Sequence, residues 1–353
     1  MTSGLRLRIW LGALVAFGLV LYLLRGMLLP FVAATAIAYF LDPLADRLER
    51  LGLSRLMATA VITLVFFLVA VLAVLLLAPV IETQVLGFAH RVPDYVNTLN
   101  QRLHPLIQDL MRRLSPHDIE RLRTSAGEYA GTAAGWALGF VRQVLTGGLA
   151  VVNLLSLLVV TPVVTFYLLR DWDVMVAKVD SWLPRDHADT IRAQVLEINR
   201  TLSGFVRGQA SVCLALGAIY AVGLSVIGLD LGLIIGLCSG LLSFVPYLGT
   251  LSGLVVSVAL AFAQAPDWTL PAMAAGVFAV GNLIEGNVLT PKLVGDKIGL
   301  HPVWIMFALL AGSALVGFVG LLLAVPVAAV IGVLVRFTLT RYLGSQLFTG
   351  NSS

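Results

Sequence analysis

Met57–Val80 is an unbroken apolar run without one charged residue. A helix rises 1.5 Å per residue, so about 20 apolar residues cross the ~30 Å hydrocarbon core of a bilayer. This run is long enough to span with tilt, and it is not isolated. Leu149–Leu169 and Ala210–Leu229 are similar, and Leu231–Phe262 is apolar for 32 residues. Over the whole 353-residue chain 59% of residues are apolar or aromatic and only 12% are charged. Soluble proteins carry roughly 25% charged residues, and a globule of this size could not cover its surface with so few. The expected fold class is therefore an all-α polytopic membrane protein. It has about six spanning helices plus two broken, re-entrant-like helical hairpins and an amphipathic extramembrane helical pair. Two Cys exclude a disulfide scaffold, and both are expected as small buried apolar residues. The net charge of +4 is too small for a nucleic-acid surface and fits the Lys/Arg bias of cytoplasmic loops.

Six regions are expected along the chain. Residues 1–81 hold N-terminal membrane helices: Ile9–Leu24, read as an uncleaved signal anchor, a short Met27–Leu41 that Asp42-Pro43 should end, and Met57–Val80. Residues 82–147 carry two apolar stripes spaced by threes and fours, Val85 to Leu114 and Ile119 to Val144, with Pro93 and Pro105 expected to start or kink helices. The stripes pack either on the protein's own membrane helices or on another subunit, and a homo-oligomer is expected. A membrane helix at 148–169 should stop at Arg170-Asp171-Trp172-Asp173, before cytoplasmic amphipathic helices over 170–209 and a transport core at 210–338. Residues 339–353 form a cytoplasmic tail.

The core contains the two unusual segments. Leu231–Phe262 is interrupted by Phe244-Val245-Pro246-Tyr247-Leu248-Gly249-Thr250, and Pro302–Val335 by Gly317-Phe318-Val319-Gly320. Arms of about 15 residues reach roughly 22 Å, short of a crossing, so each segment is expected to enter and leave by one side. Glycines every fourth residue (Gly232, Gly236, Gly240; Gly249, Gly253) permit close helix approach. With the N-terminus inside, 15 Lys and Arg fall on the cytoplasmic side and 8 outside, which puts both termini in the cytoplasm. The hairpins then enter from opposite sides, an inverted repeat that points to a secondary transporter.

Glu285 ends an otherwise uncharged run, and Asn282 lies one turn earlier on its face. A carboxylate in lipid costs a few kcal/mol, so it should meet a cavity or a partner. Asn287, Pro291 and Lys292 follow, and Pro291 should break the helix and free backbone carbonyls for a cation or solute. Glu285 either pairs with Lys292 at the interface or takes part in gating and coupling. Pro246, Gly249 and Thr250, with Gly317 and Gly320, are the expected gating tips. No GxxxxGK[ST] or HExxH occurs and the five His lie outside the apolar cores, so no ATPase, metal centre, cofactor or enzyme chemistry is expected.

The stretch Gly281-Asn282-Leu283-Ile284-Glu285-Gly286-Asn287, then Pro291-Lys292, Gly295 and Leu300-His301-Pro302, resembles the E-x-N…P-K…G…L-H-P signature of the autoinducer-2 exporter family, the PerM-like bacterial permeases. Gly317–Pro326 is similar to its G-F-x-G-x-x-x-A-x-P run, and Val245-Pro246-Tyr247-Leu248-Gly249 to its I/V-P-Y-x-G motif, with Thr250 where Pro is common in the family. The resemblance implies a multi-pass permease of the bacterial inner membrane that exports a small polar solute, such as the quorum-sensing signal autoinducer-2, with ion coupling as a further expectation. Some members resemble sodium/proton antiporters, and a passive oligomeric pore is a third reading. The implied partners are the bilayer and a small-molecule or ion substrate, with no nucleic acid.

Overall fold

The computed structural model describes residues 28–111, 148–265, 267–294 and 299–345, with isolated residues 12, 18, 20, 23, 24 and 348. The signal-anchor segment Ile9–Leu24, the second amphipathic stripe and most of the C-terminal tail lie largely or wholly outside these residues. The described chain is helical with no strand among its elements. In order it comprises α1 (Leu28–Arg50), α2 (Arg55–Met111), α3 (Gly148–Asp180), a 3-10 turn (Arg185–His187), α4 (Ala188–Val226), α5 (Gly232–Leu242), α6 (Leu248–Gln264) and α7 (Thr269–Ile284). A π-helical segment (Glu285–Val294), α8 (Pro302–Val316) and α9 (Phe318–Leu343) complete it. Among the described residues five helices are long and apolar enough to cross a membrane, and α5, α6 and α8 are shorter apolar helices. Leu64, Leu68, Leu72, Leu75 and Leu76 of α2 are all more than half exposed, which is an outer surface made for lipid rather than water.

The chain divides into two compact units: residues 1–68, 155–211 and 290–353 form one, and residues 69–154 and 212–289 the other. In the first unit, Ala38, Leu41 and Ala45 of α1 share a core with Ile62 of α2 and Leu169 of α3. The α1–α2 turn is closed by Arg55, which donates to Asp42 (3.1 Å), Asp46 (2.9 Å), Glu49 (2.9 Å) and the carbonyl of Leu169 (3.0 Å). The three carboxylates share one α1 face because they are four and three residues apart. Pro43 does not end the helix as its sequence suggested; α1 continues to Arg50. A proline inside a helix leaves the carbonyl four residues earlier without its N–H. That carbonyl belongs to Tyr39, and Arg207 of α4 donates to it from Nε at 2.8 Å.

Other helices also overrun their expected ends. α2 continues unbroken past Val80, through Pro93 and Pro105, to Met111, and α3 passes Arg170–Asp173 to reach Asp180. Charge alone does not stop a helix once it has left the apolar layer, because Arg and Asp fit helical geometry well enough. Within the first unit α8 and α9 form a hairpin. The break lies at Gly317, whose φ of +66° and ψ of −139° suit glycine alone, while Gly320 is already helical and lies against Gly312. The arms are unequal: α8 has 15 residues and α9 has 26, because the helix continues past Val335 to Leu343. α9 is thus long enough to cross, a correction to two short arms.

In the second unit α5 and α6 form the other hairpin. α5 has 11 residues, about 16 Å, so it falls well short of a crossing. Its three glycines face α4: a Cβ on Gly232 would meet Leu224, one on Gly236 would meet Tyr220 and Ala221, and one on Gly240 would meet Gly217 and Cys213. Gly249 and Gly253 of α6 face Ser239 of α5, Ser243 just after it, and Phe278 of α7. Small residues thus seat α5 on one helix and α6 on two. Cys213 is buried, but Cys238 is exposed on the outer face of α5 while Ser239 is buried beside it, so only one of the two Cys is a core residue.

Candidate functional site

The α5–α6 connection is short and tightly wound. Val245 N–H donates to Leu242 O at 3.0 Å, and Leu248 N–H to Val245 O at 3.2 Å, so Pro246 sits at the apex of a turn. Tyr247 adopts a left-handed φ of 67° and its side chain is exposed. A bulky residue in that region carries strain of order 1–3 kcal/mol that its surroundings must hold. Gly249 then allows the start of α6 to lie on Ser239 O and Ser243, and Ser243 Oγ donates to Ser239 O at 2.8 Å. This seating fixes the first turn of α6 and therefore Thr250.

Thr250 Oγ1 lies 3.4 Å from Glu285 Oε2, to which it donates, and 3.4 Å from the hydroxyl of Tyr220 on α4. Tyr220 is fully buried, stacks on Phe278 of α7 with ring centroids 4.4 Å apart, and fills the space left by Gly281. A polar triad is thus assembled from three helices, framed by an aromatic pair and a glycine. The distances are at the long end of hydrogen bonding, so the links are adjustable rather than locked.

Glu285 marks a change of helical form. α7 ends at Ile284, and Glu285–Val294 is π-helical with Pro291 inside it. Pro291 therefore widens the helix instead of breaking it. A π-turn bonds to the residue five back, which moves the pyrrolidine ring off the carbonyl it would strike in an α-helix. Such segments cluster at functional sites.

The structure brings together Glu285 and Thr250, each singled out from a different motif, with Gly249 and Pro246 as the frame that places Thr250. Asn282 and Asn287 do not join them among the described residues: Asn282 is exposed, and Asn287 Nδ2 donates to Leu283 O of its own helix at 2.9 Å. Lys292 lies in the first unit on a cleft with Arg200 and Arg207 of α4. Gly317 and Gly320 shape the α8–α9 hairpin and bear no polar group. Tyr220 was not anticipated; a single tyrosine in an otherwise apolar span is the available signal, because a buried phenol needs a partner.

A second polar pocket, also not anticipated, lies in the first unit. Tyr39 and Trp172 meet edge to face with centroids 6.0 Å apart, beside Asp42, Asn199, Ser203 and Arg207. On the second unit, the α4–α5 loop is tied down at Asp230. Arg91 donates to it at 2.7 and 2.9 Å, Tyr95 donates to it through its hydroxyl, and the Asp230 N–H donates to Gln264 Oε1 at 2.9 Å. Among the described residues no group of three or more His, Cys, Asp and Glu could hold a metal ion.

The model of the AI-2E family transporter matches residues 11–340. The chain belongs to that family. It is 31% identical over 314 residues to the Bacillus subtilis (strain 168) protein named "Putative transport protein YrrI", covering 88% of this chain and 86% of that one. It is 25% identical over 325 residues to "Putative permease PerM" of Escherichia coli (strain K12), covering 89% and 88%. It is 28% identical over 315 residues to "Putative transport protein sll0063" of Synechocystis, covering 84% and 74%. The AI-2E match includes both hairpins, the Tyr220–Thr250–Glu285 triad and the π-helical segment. The chain is thus a multi-pass membrane transporter.

Proposed function

We propose that this AI-2E family member is a secondary transporter of a small polar solute, and that Glu285 couples an ion to the cycle. The observation that carries the reading is the contact of Glu285 with Thr250 on the first turn after the α5–α6 tip. An ionised Glu285 accepts from Thr250; a protonated or cation-bound one does not need that bond. Loading and unloading the carboxylate therefore changes the hold on the hairpin, and Tyr220 passes the change to α4. Pro291 has no N–H, so the carbonyl of Gly286, five residues earlier in the π-helical segment, is left without its helical donor. The family's name supports autoinducer-2 or a solute like it as cargo, moved outward across the bacterial inner membrane, and the Lys and Arg bias supports both termini in the cytoplasm. A sodium/proton antiporter would use the same carboxylate. We also propose a homo-oligomer, supported by the length of α2 beyond the apolar layer.

The test is flux by purified protein in liposomes, with pH and sodium gradients imposed separately and autoinducer-2 as the solute. Gradient-driven uptake with accelerated counterflow is the expected result for a coupled carrier. Glu285→Gln keeps size and hydrogen bonding, and it should abolish the gradient dependence at unchanged protein level. Gradient-dependent flux equal to that of the natural protein in this variant overturns the coupling role. Flux without counterflow favours a pore.

A further inference from the structure

Arg200, Ser203, Gly204, Arg207, Gly208 and Ser211 recur along α4 at steps of three and four, so they form one stripe on one helical face. In the first unit this stripe lines an open cleft of about 410 Å³, and the opposite wall carries Lys292 and Leu293 of the π-helical segment. Three cationic side chains converge on it, and among the described residues no carboxylate lines it. Ser203 and Ser211 donate their hydroxyls inward to Arg200 O and Arg207 O, at 3.3 and 2.9 Å. The cations are therefore the donors left for an occupant.

Arg200 and Lys292 are exposed and make no salt bridge among the described residues. Arg207 is held by Tyr39 O through Nε and lies 3.6 Å from Asp42 through Nη2, while its Nη1 has no partner among the described residues. Asp42 is itself shared with Arg55, so it neutralises neither Arg200 nor Lys292. Like charges gathered around one opening repel one another, and an anion between them removes that cost. Gly204 and Gly208 keep the floor free of side chains, so an occupant can lie close to the helix. Arginine forks and a lysine point charge together suit a planar or tetrahedral oxyanion.

We propose that this cleft binds an oxyanion, a phosphate or carboxylate group held between Arg200, Arg207 and Lys292. The inference does not rest on the coupling role of Glu285. The group could belong to a soluble anion or to an anionic lipid headgroup, and the experiment separates the two. Purified full-length protein is placed in nanodiscs of phosphatidylcholine alone and titrated calorimetrically with inorganic phosphate. In parallel, native mass spectrometry compares retained lipid in nanodiscs containing phosphatidylglycerol and phosphatidylcholine.

Saturable phosphate binding that weakens roughly tenfold in Arg200→Gln and in Lys292→Gln, and returns in Lys292→Arg, assigns a soluble anion. Phosphatidylglycerol preference lost in the same two variants, without phosphate binding, assigns a headgroup. Arg200 and Lys292 are exposed and make no side-chain hydrogen bond among the described residues, so an unchanged melting temperature shows the fold intact. Absence of both kinds of binding, or binding that neither Gln variant alters, overturns the proposal.

Discussion

Arg207 donates its Nε hydrogen to the carbonyl oxygen of Tyr39 at 2.8 Å, the acceptor that Pro43 leaves without a helical N–H. A defect in one helix is thus repaired by a side chain from another. The repair lets α1 run on to Arg50 and carry Asp42, Asp46 and Glu49 to Arg55. The two substitutions should therefore be coupled. Pro43→Ala restores an N–H to Tyr39, so Arg207→Met should lower the melting temperature less in that background than in the natural one. The difference should correspond to about 0.5–1.5 kcal/mol, the net worth of a hydrogen bond. Equal losses in both backgrounds would show that Arg207 serves some other group.

Gly240 of α5 and Gly276 of α7 offer a contrast within one unit. A Cβ on Gly240 would strike the backbone of Gly217, which cannot move aside, whereas one on Gly276 meets open space. Gly240→Ala should destabilise by about 1–3 kcal/mol or prevent assembly, as overpacking does. Gly276→Ala should leave stability level or raised, since alanine is the better helix former by up to about 1 kcal/mol. Thermal unfolding of the two purified variants checks this. A Gly240→Ala protein that melts with the parent would mean that α5 does not pack on α4 as described.

Tyr220 and Thr250 should separate a packing role from a polar one. Tyr220→Phe keeps the ring that stacks on Phe278 and fills the space at Gly281, and removes only the hydroxyl. Thr250→Val keeps shape and removes the group that meets Glu285. Both should fold and reach the membrane at parental levels. Thr250→Val should shift the pH dependence of flux, and Tyr220→Phe should shift it less, because its link to Glu285 passes through Thr250. Identical pH profiles in all three proteins would reduce the triad to a packing contact.

Arg192 holds the Asp180 carboxyl below the usual carboxylate range through bonds of 2.7 and 2.8 Å to its two oxygens, against a smaller opposing effect of desolvation. A lowered carboxylate contributes its stabilisation in full above its ordinary value of 3.8 and loses it only as the pH falls through the lowered one. Protection of the 181–191 turn should therefore be the same across roughly pH 5 to 8, after correction for intrinsic exchange. Hydrogen exchange measures this, and Arg192→Gln should raise exchange equally at both ends of that range. Protection in the parent that fades between pH 7 and pH 5 would show that this pair does not hold the turn.

Hydropathy made the helical class and both hairpins legible, because apolar length and a central Pro or Gly break are local properties. Glu285 and Thr250 were also legible one at a time: a charge at the end of an uncharged run, and a polar residue just after a turn. Their meeting was not, since residues 35 apart in sequence are joined only by how α6 and α7 pack. Tyr220 was hidden because its ring suits an apolar span, and its hydroxyl became informative only once Gly281 and Phe278 had fixed the ring. The ends of α1, α2 and α3 were misplaced for one reason. Proline and charge were read as stop signals, whereas Arg207 serves the carbonyl that Pro43 leaves open and Arg and Asp remain good enough helix residues outside lipid.

The orientation can be checked through the basic cleft. Arg200, Arg207 and Lys292 lie around one opening, so all three belong to one side of the membrane. The Lys and Arg distribution, 15 against 8, predicts that this side is the cytoplasm and that the region after Glu82 lies on the other. Single cysteines at Thr290 and Asn100 in a background lacking Cys213 and Cys238 should therefore react oppositely with a membrane-impermeant maleimide. In intact cells Asn100→Cys should label and Thr290→Cys should not; after permeabilisation both should label. Labelling of Thr290→Cys alone in intact cells would invert the topology. It would also turn the proposed oxyanion cleft to the outside, where it would meet solutes after export rather than before it.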